Sequence, residues 1–332
     1  MAGSVNDTLF VSGADDLEMA AGPDRFYVLD RRASRVAMID TLGHLVGSFG
    51  KEGDGPGEMR TGMAIAIDDN GDVTLLDMGR GRLISFTATG ETLGDAPIPS
   101  AHMGTFRLGH LGPDLVMDKR VQDSSGMAMQ VTIVSRGDSG VLASLPLPEM
   151  RLVTLHACGM EMQLPAMPIL APGLNWSSSG DWLAVVSDAE YDVRVFHAGG
   201  APRRVRRTIP PREATRELAL QAIGEEGGLS FSGGDCSLAP EEMVDKMGVA
   251  DRVPAIQGVL IDSDGWLRVQ RYSVGDEPVL VDIFNPDGEY VGTMTGEHPM
   301  PNAATGNYIA TAVDDSLGLP TIVVSRIDGR GN

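Results

Sequence analysis

"GPDRFYVLDRRASRVAMIDTLGHLV", Gly22 to Val46, and "DNGDVTLLDMGRGRLISFTATGETL", Asp69 to Leu93, align without a gap. Asp30 falls on Asp77, Arg35 on Arg82, Ile39 on Phe86 and Gly43 on Gly90, each at an offset of 47 residues. Self-similarity at a fixed period marks a repeat architecture, so the pair reads as one unit duplicated. Within each copy, two runs with apolar residues at alternate positions are bounded by Gly, Asp and Asn, the pattern of antiparallel strands joined by tight turns. "MAIAID" from Met63 adds a strand ahead of the second copy, which brings the unit to four strands.

Weaker copies follow. "GPDLVMDKRV" from Gly112 and "QVTIVSRGDSGVLASLPL" from Gln130 make a third unit with a long internal loop, Asp118 to Met129. "GDWLAVVSDAEYDVRVFHAGGAPRRV" from Gly180 makes a fourth, and "QGVLIDSDGWLRVQRY" from Gln257 with "VLVDIFNPDGEYVGTM" from Val279 a fifth. "GNYIATAVDDSLGLPTIVVSRI" from Gly306 makes a sixth that lacks a strand, while "TLFVSG" from Thr8 is left over at the other end. Four-stranded units recurring every ~40 to 50 residues are the signature of propeller blades, and the coils of a β-solenoid are too short to match. The expectation is an all-β chain: a single six-bladed β-propeller domain over residues 1–332, with four-stranded antiparallel blades. The N-terminal strand would close the ring and cover the edges that an open sheet exposes. A short helical insertion, 208–256, is expected between blades four and five, from "PREATRELALQAIGEE" at Pro211 and "APEEMVDKMG" at Ala239. Both segments are rich in helix formers, with a proline or acidic residues in the first turn.

The stretch "GSFGKEGDGPGEMRTGMAIAIDDNGDVTLLDMGRGRLISFTATGETL", Gly47 to Leu93, resembles an NHL repeat. The shared pattern is a Gly-rich run ending in Gly-Glu, a strand, Asp-x-x-Gly, a strand ending in Asp, then Arg and an apolar strand. Met59 stands where an aromatic residue is usual, and Thr87 where Asp is usual. "GKEGDGPGEM", the helical insertion and the terminal "DDSLGLPTIVVSRI" together resemble bacterial six-bladed propeller proteins, largely uncharacterised. The resemblance implies the same fold and, because those proteins are typically exported, an extracytoplasmic location, periplasmic or secreted. The Gly-rich run lies where the chain must cross from the rim of one blade to the axis of the next, and glycine permits the backbone conformations this needs. No Gly-Lys-Ser/Thr closes it, so a phosphate cradle is not expected.

Lys and Arg number 26 against 46 Asp and Glu, and the formal charge of -20 repels a phosphate backbone, so nucleic acid is not an expected partner. No apolar run approaches the ~18 residues of a membrane span. The start, "MAGSVNDTLF", lacks the basic and apolar regions of a signal peptide, as would a chain from which one had been removed. A monomer is expected. Cys158 and Cys236 both fall in inter-blade segments without a metal-type spacing, which leaves one bridge or two free thiols.

In blades with strands A to D from axis to rim, the D-to-A crossovers and the B-to-C loops open on one face, and the A-to-B and C-to-D hairpins on the other. The hairpin turns are short, whereas the crossovers 96–106, 146–172, 208–256 and 297–305 are long. Long loops gathered on one end of a rigid scaffold are where binding sites usually sit, so the site is expected at the mouth of the axial channel on the crossover face, with 208–256 as a lid. The candidate binding residues are Asp30, Asp77 and Asp118 near the strand-B ends, with Arg120 and Arg271. Carboxylates would suit a cation, and arginine an anionic ligand. The competing role for each Asp is to cap its own B-to-C loop or to pair with Arg35 or Arg82.

His102, His156 and His298 lie in crossovers on the same face and are the candidate ligands of a divalent metal, although loop histidines are more often solvated polar residues. "HACGMEM" from His156 collects soft ligands that would suit Cu(I), or places Met160 and Met162 as fillers under the loop. "DDNGD" from Asp68 reads as a hairpin turn and "RRVRR" from Arg203 as an outer strand. No G-x-S-x-G, HExxH or cofactor fingerprint is present. The functional expectation is therefore a non-catalytic recognition propeller, without a cofactor, that binds a protein or small-molecule ligand on the crossover face. The alternative is a metal-assisted lyase or hydrolase at the channel mouth, of the kind some NHL propellers carry, with Arg271 as an anion clamp.

Overall fold

The computed structural model of the protein describes residues 4–6, 10, 13–124, 126–148, 151–157, 160–224, 239–296 and 300–327. Six four-stranded antiparallel sheets follow one another along the chain. Blade 1 consists of Leu17–Ala21, Arg25–Asp30, Arg35–Asp40 and Leu45–Phe49, and blade 2 of Gly62–Ile67, Val73–Asp77, Arg82–Phe86 and Thr92–Pro97. Blade 3 consists of Leu108–Leu111, Asp114–Asp123, Gly126–Ile133 and Val141–Pro146, and blade 4 of Asn175–Ser179, Trp182–Val186, Asp192–His197 and Arg203–Arg206. Blade 5 consists of Ile256–Ile261, Leu267–Arg271, Val279–Phe284 and Tyr290–Gly296. The duplicated residues hold equivalent places, since Asp30 is opposite Arg35 and Asp77 opposite Arg82 in the B–C ladders.

Blade 6 takes three strands from the end of the chain, Ala303–Thr305, Tyr308–Asp314 and Pro320–Arg326, and its fourth from Ser4–Asn6. The N-terminal strand therefore closes the ring, pairing Ser4 with Val323 and Asn6 with Thr321, a few residues ahead of the "TLFVSG" run. Phe10, Leu17, Phe26 and Ile39 then pack against Ala310, Ile322 and Val324, so the seam between blades 6 and 1 is an apolar core like the others. Between blades 1 and 2 the equivalent core holds Tyr27, Leu29, Leu75, Ile84 and Phe86, with Met59 fully buried among them.

One turn recurs with the same bonds. Asp40, Asp68, Asp262, Asn285 and Asp315 each use Oδ1 to accept the amides two and four residues on, and Thr87 does the same with Oγ1. In every case the glycine three residues on donates its amide to the first carbonyl at positive φ, as at Gly71 (82°) and Gly265 (82°). A side chain with a Cβ is strained in that region, which is why Asp-x-x-Gly repeats.

Two segments depart from the sequence expectation, and the insertion between blades four and five adds a short ladder to its expected helices. The long B-to-C loop over Asp118 to Met129 is instead an extension of the blade 3 hairpin, with Asp118 opposite Val131 and Asp123 opposite Gly126. The alternation of Met127, Met129, Val131 and Ile133 carries the strand pattern through it. The crossover 146–172 contains a two-stranded hairpin, Arg151–Ala157 with Met160–Ala166. The insertion 208–256 forms a small ladder, Arg212–Glu213 with Arg252–Val253, and two helices, α1 (Arg216–Ile223) and α2 (Pro240–Met247). Thr215 caps α1 through the Leu218 amide, and Pro240, Glu241 and Glu242 start α2. Ala219, Val244, Val253 and Leu170 form their shared core. No helix among the described residues is long and apolar enough to cross a membrane.

Candidate binding site at the channel mouth

The A strands are the inner edges of six radial sheets and touch in ring order, blade 1 through blade 6 and back to blade 1. They enclose a cavity of about 170 Å³ lined by residues of all six. Each A strand starts at the crossover face, so residues at or just before its first position ring the mouth. Two of the residues lining the cavity are charged: Glu18, the second residue of blade 1's A strand, and Arg107, which precedes blade 3's A strand. Arg31, in blade 1's B-to-C turn, reaches Glu18 from outside that lining.

Arg31 bridges blades 1 and 2, donating from Nη2 to Glu18 Oε2 (2.6 Å) and from Nε to the Met63 carbonyl (3.1 Å). Burial raises the Glu18 pKa, and the charges of Arg31 and Arg107 oppose the rise. Its side chain nevertheless keeps 39% of its surface open to the lumen, because it faces the channel and not a packed core. Arg107 stacks over the Trp176 ring at 4.9 Å from the centroid and donates from Nη2 to the Trp176 carbonyl. Surrounding protein lowers its pKa, with the charges of Glu18 and Asp118 acting the other way, yet arginine remains charged at any working pH.

The stacking depends on Gly109. A Cβ there would lie 2.2 Å from Ser178 Oγ and 2.7 Å from Trp176 Cζ3, so only glycine lets the indole lie against blade 3. Blade 4 also ties its neighbours to itself. Ser178 Oγ accepts the His110 amide of blade 3 (3.2 Å), and Ser177 Oγ accepts the Ile261 amide of blade 5 (3.2 Å).

The residues singled out from the sequence are placed as follows. Asp30 Oδ1 accepts the amides of Arg32 and Ala33 (both 3.1 Å) in its own B-to-C turn. Asp77 accepts the amides of Arg60 (3.1 Å) and Thr61 (3.0 Å), which pins the end of the Gly-rich crossover to strand B. Asp118 sits mid-strand, buried, and accepts the Thr105 hydroxyl. Arg120 is exposed on the same strand. Arg271 donates from Nε (2.9 Å) and Nη2 (2.8 Å) to Asp282, a fully buried carboxylate that also accepts from Tyr191 and Thr293. Burial would raise the Asp282 pKa, but the hydrogen bonds from Arg271, Thr293 and Tyr191 and the Arg271 charge outweigh it and hold the carboxyl at about 2. The first three carboxylates are thus directed at backbone amides or a hydroxyl, and Arg271 at a buried aspartate.

His102 is buried, and Nε2 meets Thr132 Oγ1 at 2.8 Å. Thr132 gives its proton to the Met117 carbonyl (3.2 Å), so His102 carries its own on Nε2. Burial, with the Lys119 charge, lowers the His102 pKa and keeps the ring neutral. His156 is opposite Glu161 in the crossover hairpin, and His298, Cys158 and Cys236 lie outside the described residues. Among the described residues no group of three or more His, Cys, Asp or Glu is placed to hold a metal ion. None of the described insertion residues lines the axial cavity.

Glu18, Arg31, Arg107 and Trp176 were not singled out in the sequence. The available signal was a charged residue inside or next to an otherwise apolar innermost strand, "LEMAA" and "RLGHL".

No protein-family model and no curated protein matches the chain. Among solved structures, a protein from Bacteroides fragilis provisionally named as exported is similar at a TM-score of 0.54 and 13% identity, over 98% of this chain and 93% of its own. A member of the DUF4221 family from Bacteroides vulgatus is similar at 0.50 and 10%, over 97% and 96%. Virginiamycin B lyase from Staphylococcus aureus gives 0.41 and 12%, over 99% and 89%. What the first two share with this chain is the fold. At such identities the site has to be argued from its own residues.

Proposed function

We propose that this chain is a non-catalytic recognition propeller that takes a small ligand, or the projecting end of a protein partner, in the crossover-face mouth of its axial channel. The observation that supports it is the convergence on one lumen of Arg107, stacked on Trp176, with Glu18, which Arg31 pairs from the B-to-C turn. Arginines do not exchange protons near neutral pH, and Glu18 is held in an ion pair, so these groups suit holding and orienting more than proton transfer. The NHL-like unit is part of the same reading, and with it an extracytoplasmic location.

A thermal-shift screen of a small-molecule library tests it, run on the native chain and on Arg107→Gln, with hits recovered and weighed by mass spectrometry. Compounds that stabilise only the native chain and return unchanged support recognition at the mouth. Compounds that return cleaved would replace this reading with the lyase or hydrolase. Hits indifferent to Arg107 would move the site elsewhere.

A further inference from the structure

We infer that the ligand of the channel mouth is a small organic monocarboxylate, with its carboxylate on Arg107 and a second negative charge disfavoured by Glu18. The inference rests on the recognition reading and narrows it to a chemical class.

Arg107 carries it. Its guanidinium has five donors in a planar fork, one of which goes to the Trp176 carbonyl. Among the described residues no carboxylate lies at ion-pair distance from it, although most arginines of this acidic chain have one: Arg25, Arg31, Arg60, Arg82, Arg204 and Arg271 are examples. The acids that act on it electrostatically are engaged elsewhere, Glu18 by Arg31 and Asp118 by Thr105. Trp176 lies against the face of the fork, and Arg107 stays exposed at the mouth, within reach of a ligand arriving from solvent. A planar group with two equivalent oxygens matches such a fork, and a carboxylate is the simplest one.

Size and charge narrow the class. The cavity of about 170 Å³ is below the ~300 to 1,000 Å³ of sites for drug-sized molecules, so it admits a few heavy atoms. Ala20, Ala66, Gly109 and Ala304 line it with small groups, which leaves room for a short apolar tail. Glu18 shares the lumen with Arg107, and a dianion would set its second charge against that carboxylate, a like-charge contact that disfavours it.

Ligand-observed NMR titrations with propionate, malonate and inorganic phosphate test the inference on the full chain and on Arg107→Gln, Arg107→Lys and Glu18→Gln, each first shown to be folded by its melting transition. The native chain should bind propionate more tightly than malonate or phosphate. Arg107→Gln should weaken propionate binding by about tenfold or more, the worth of a charge-assisted hydrogen bond. Arg107→Lys, which keeps the charge without the fork, should weaken it less, and it serves as the readout if the Gln variant does not fold. Glu18→Gln should close the gap between propionate and the dianions. The gain should persist when Arg31 is also changed to Gln, which separates the lost repulsion from a freed arginine. Propionate that fails to bind, or binds equally to Arg107→Gln, overturns the inference. If uncharged compounds from the thermal-shift screen still depend on Arg107, only the carboxylate class falls. If nothing depends on Arg107, the recognition reading falls with it.

Discussion

Asp282 shows how much one buried carboxylate can hold together. Arg271 and Thr293 of its own blade and Tyr191 of blade 4 all donate to it, and Arg207 of blade 4 lies within ion-pair distance at 2.6 Å while stacking over Tyr290 at 4.1 Å. Asp282→Asn keeps the shape but leaves two arginines without their counter-charge, and breaking a buried pair in this way costs about 3 to 5 kcal/mol, measurable by urea denaturation at pH 7. The pH dependence has a definite sign. The folded pKa, about 2, lies below the ordinary 3.8, so the stabilisation is fully present above about pH 4 and is lost as pH falls through the folded value. The native chain should therefore lose stability between pH 4 and pH 2, and the gap to Asp282→Asn should shrink over the same interval. Gly109→Ala is the second residue-scale case. The added methyl meets Ser178 and Trp176, overpacking of this kind costs ~1 to 3 kcal/mol, and the displaced indole should change the tryptophan emission.

At the scale of an element, the Asp-x-x-Gly turn is a small module whose worth can be measured in several places. Asn285→Ala and Asp315→Ala each remove one side-chain acceptor for two amides, and each should cost about 1 kcal/mol by analogy with helix caps. Asp262→Ala should cost more, by denaturation under the same conditions. Its Oδ2 also pairs with Arg268 at 3.1 Å, and both side chains are buried, so the change strands a charge as well as opening a turn. Equal losses at all three positions would mean that the Asp262–Arg268 pair adds nothing. Thr87 fills the same role with a hydroxyl, which explains why the motif survives without its usual aspartate.

For the whole molecule, closure decides stability. Without Ser4–Asn6, the strand Pro320–Arg326 would present a free edge, which invites pairing with another copy. A chain lacking residues 1–6 should melt at lower temperature and run as a larger species in light scattering. The opposite end of the channel carries a different signature. There Asp69 of blade 2's A-to-B turn meets Asp181 of blade 4's, and burial, with the Asp181 charge, raises the Asp69 pKa. An acid whose folded pKa is raised opposes folding once ionised, so stability from this site is fullest at low pH and falls as pH rises through the raised value. Asp69→Asn should melt higher than the native chain at neutral pH, with the difference vanishing in acid, the reverse of Asp282→Asn.

The blades, their four-strand content, the tight turns and the closing role of the N-terminus were legible in the sequence because each is local. Alternation, turn chemistry and a repeat offset of 47 residues all act over short stretches of chain. The same locality made the helices of the insertion readable. The hairpin in 146–172 was not, because its strands carry little of the turn punctuation found in the blades. The channel mouth could be assigned to a face but not to its residues, since which side chains meet there depends on six strands brought together from across the chain. Asp30 and Asp77 invite a functional reading by recurring, yet recurrence in a repeat mostly reports a shared backbone need, and their carboxylates go to amides. Glu18, Arg107 and Trp176 recur nowhere. Their meeting requires ring closure and the gap left at Gly109, and both are properties of the tertiary structure alone.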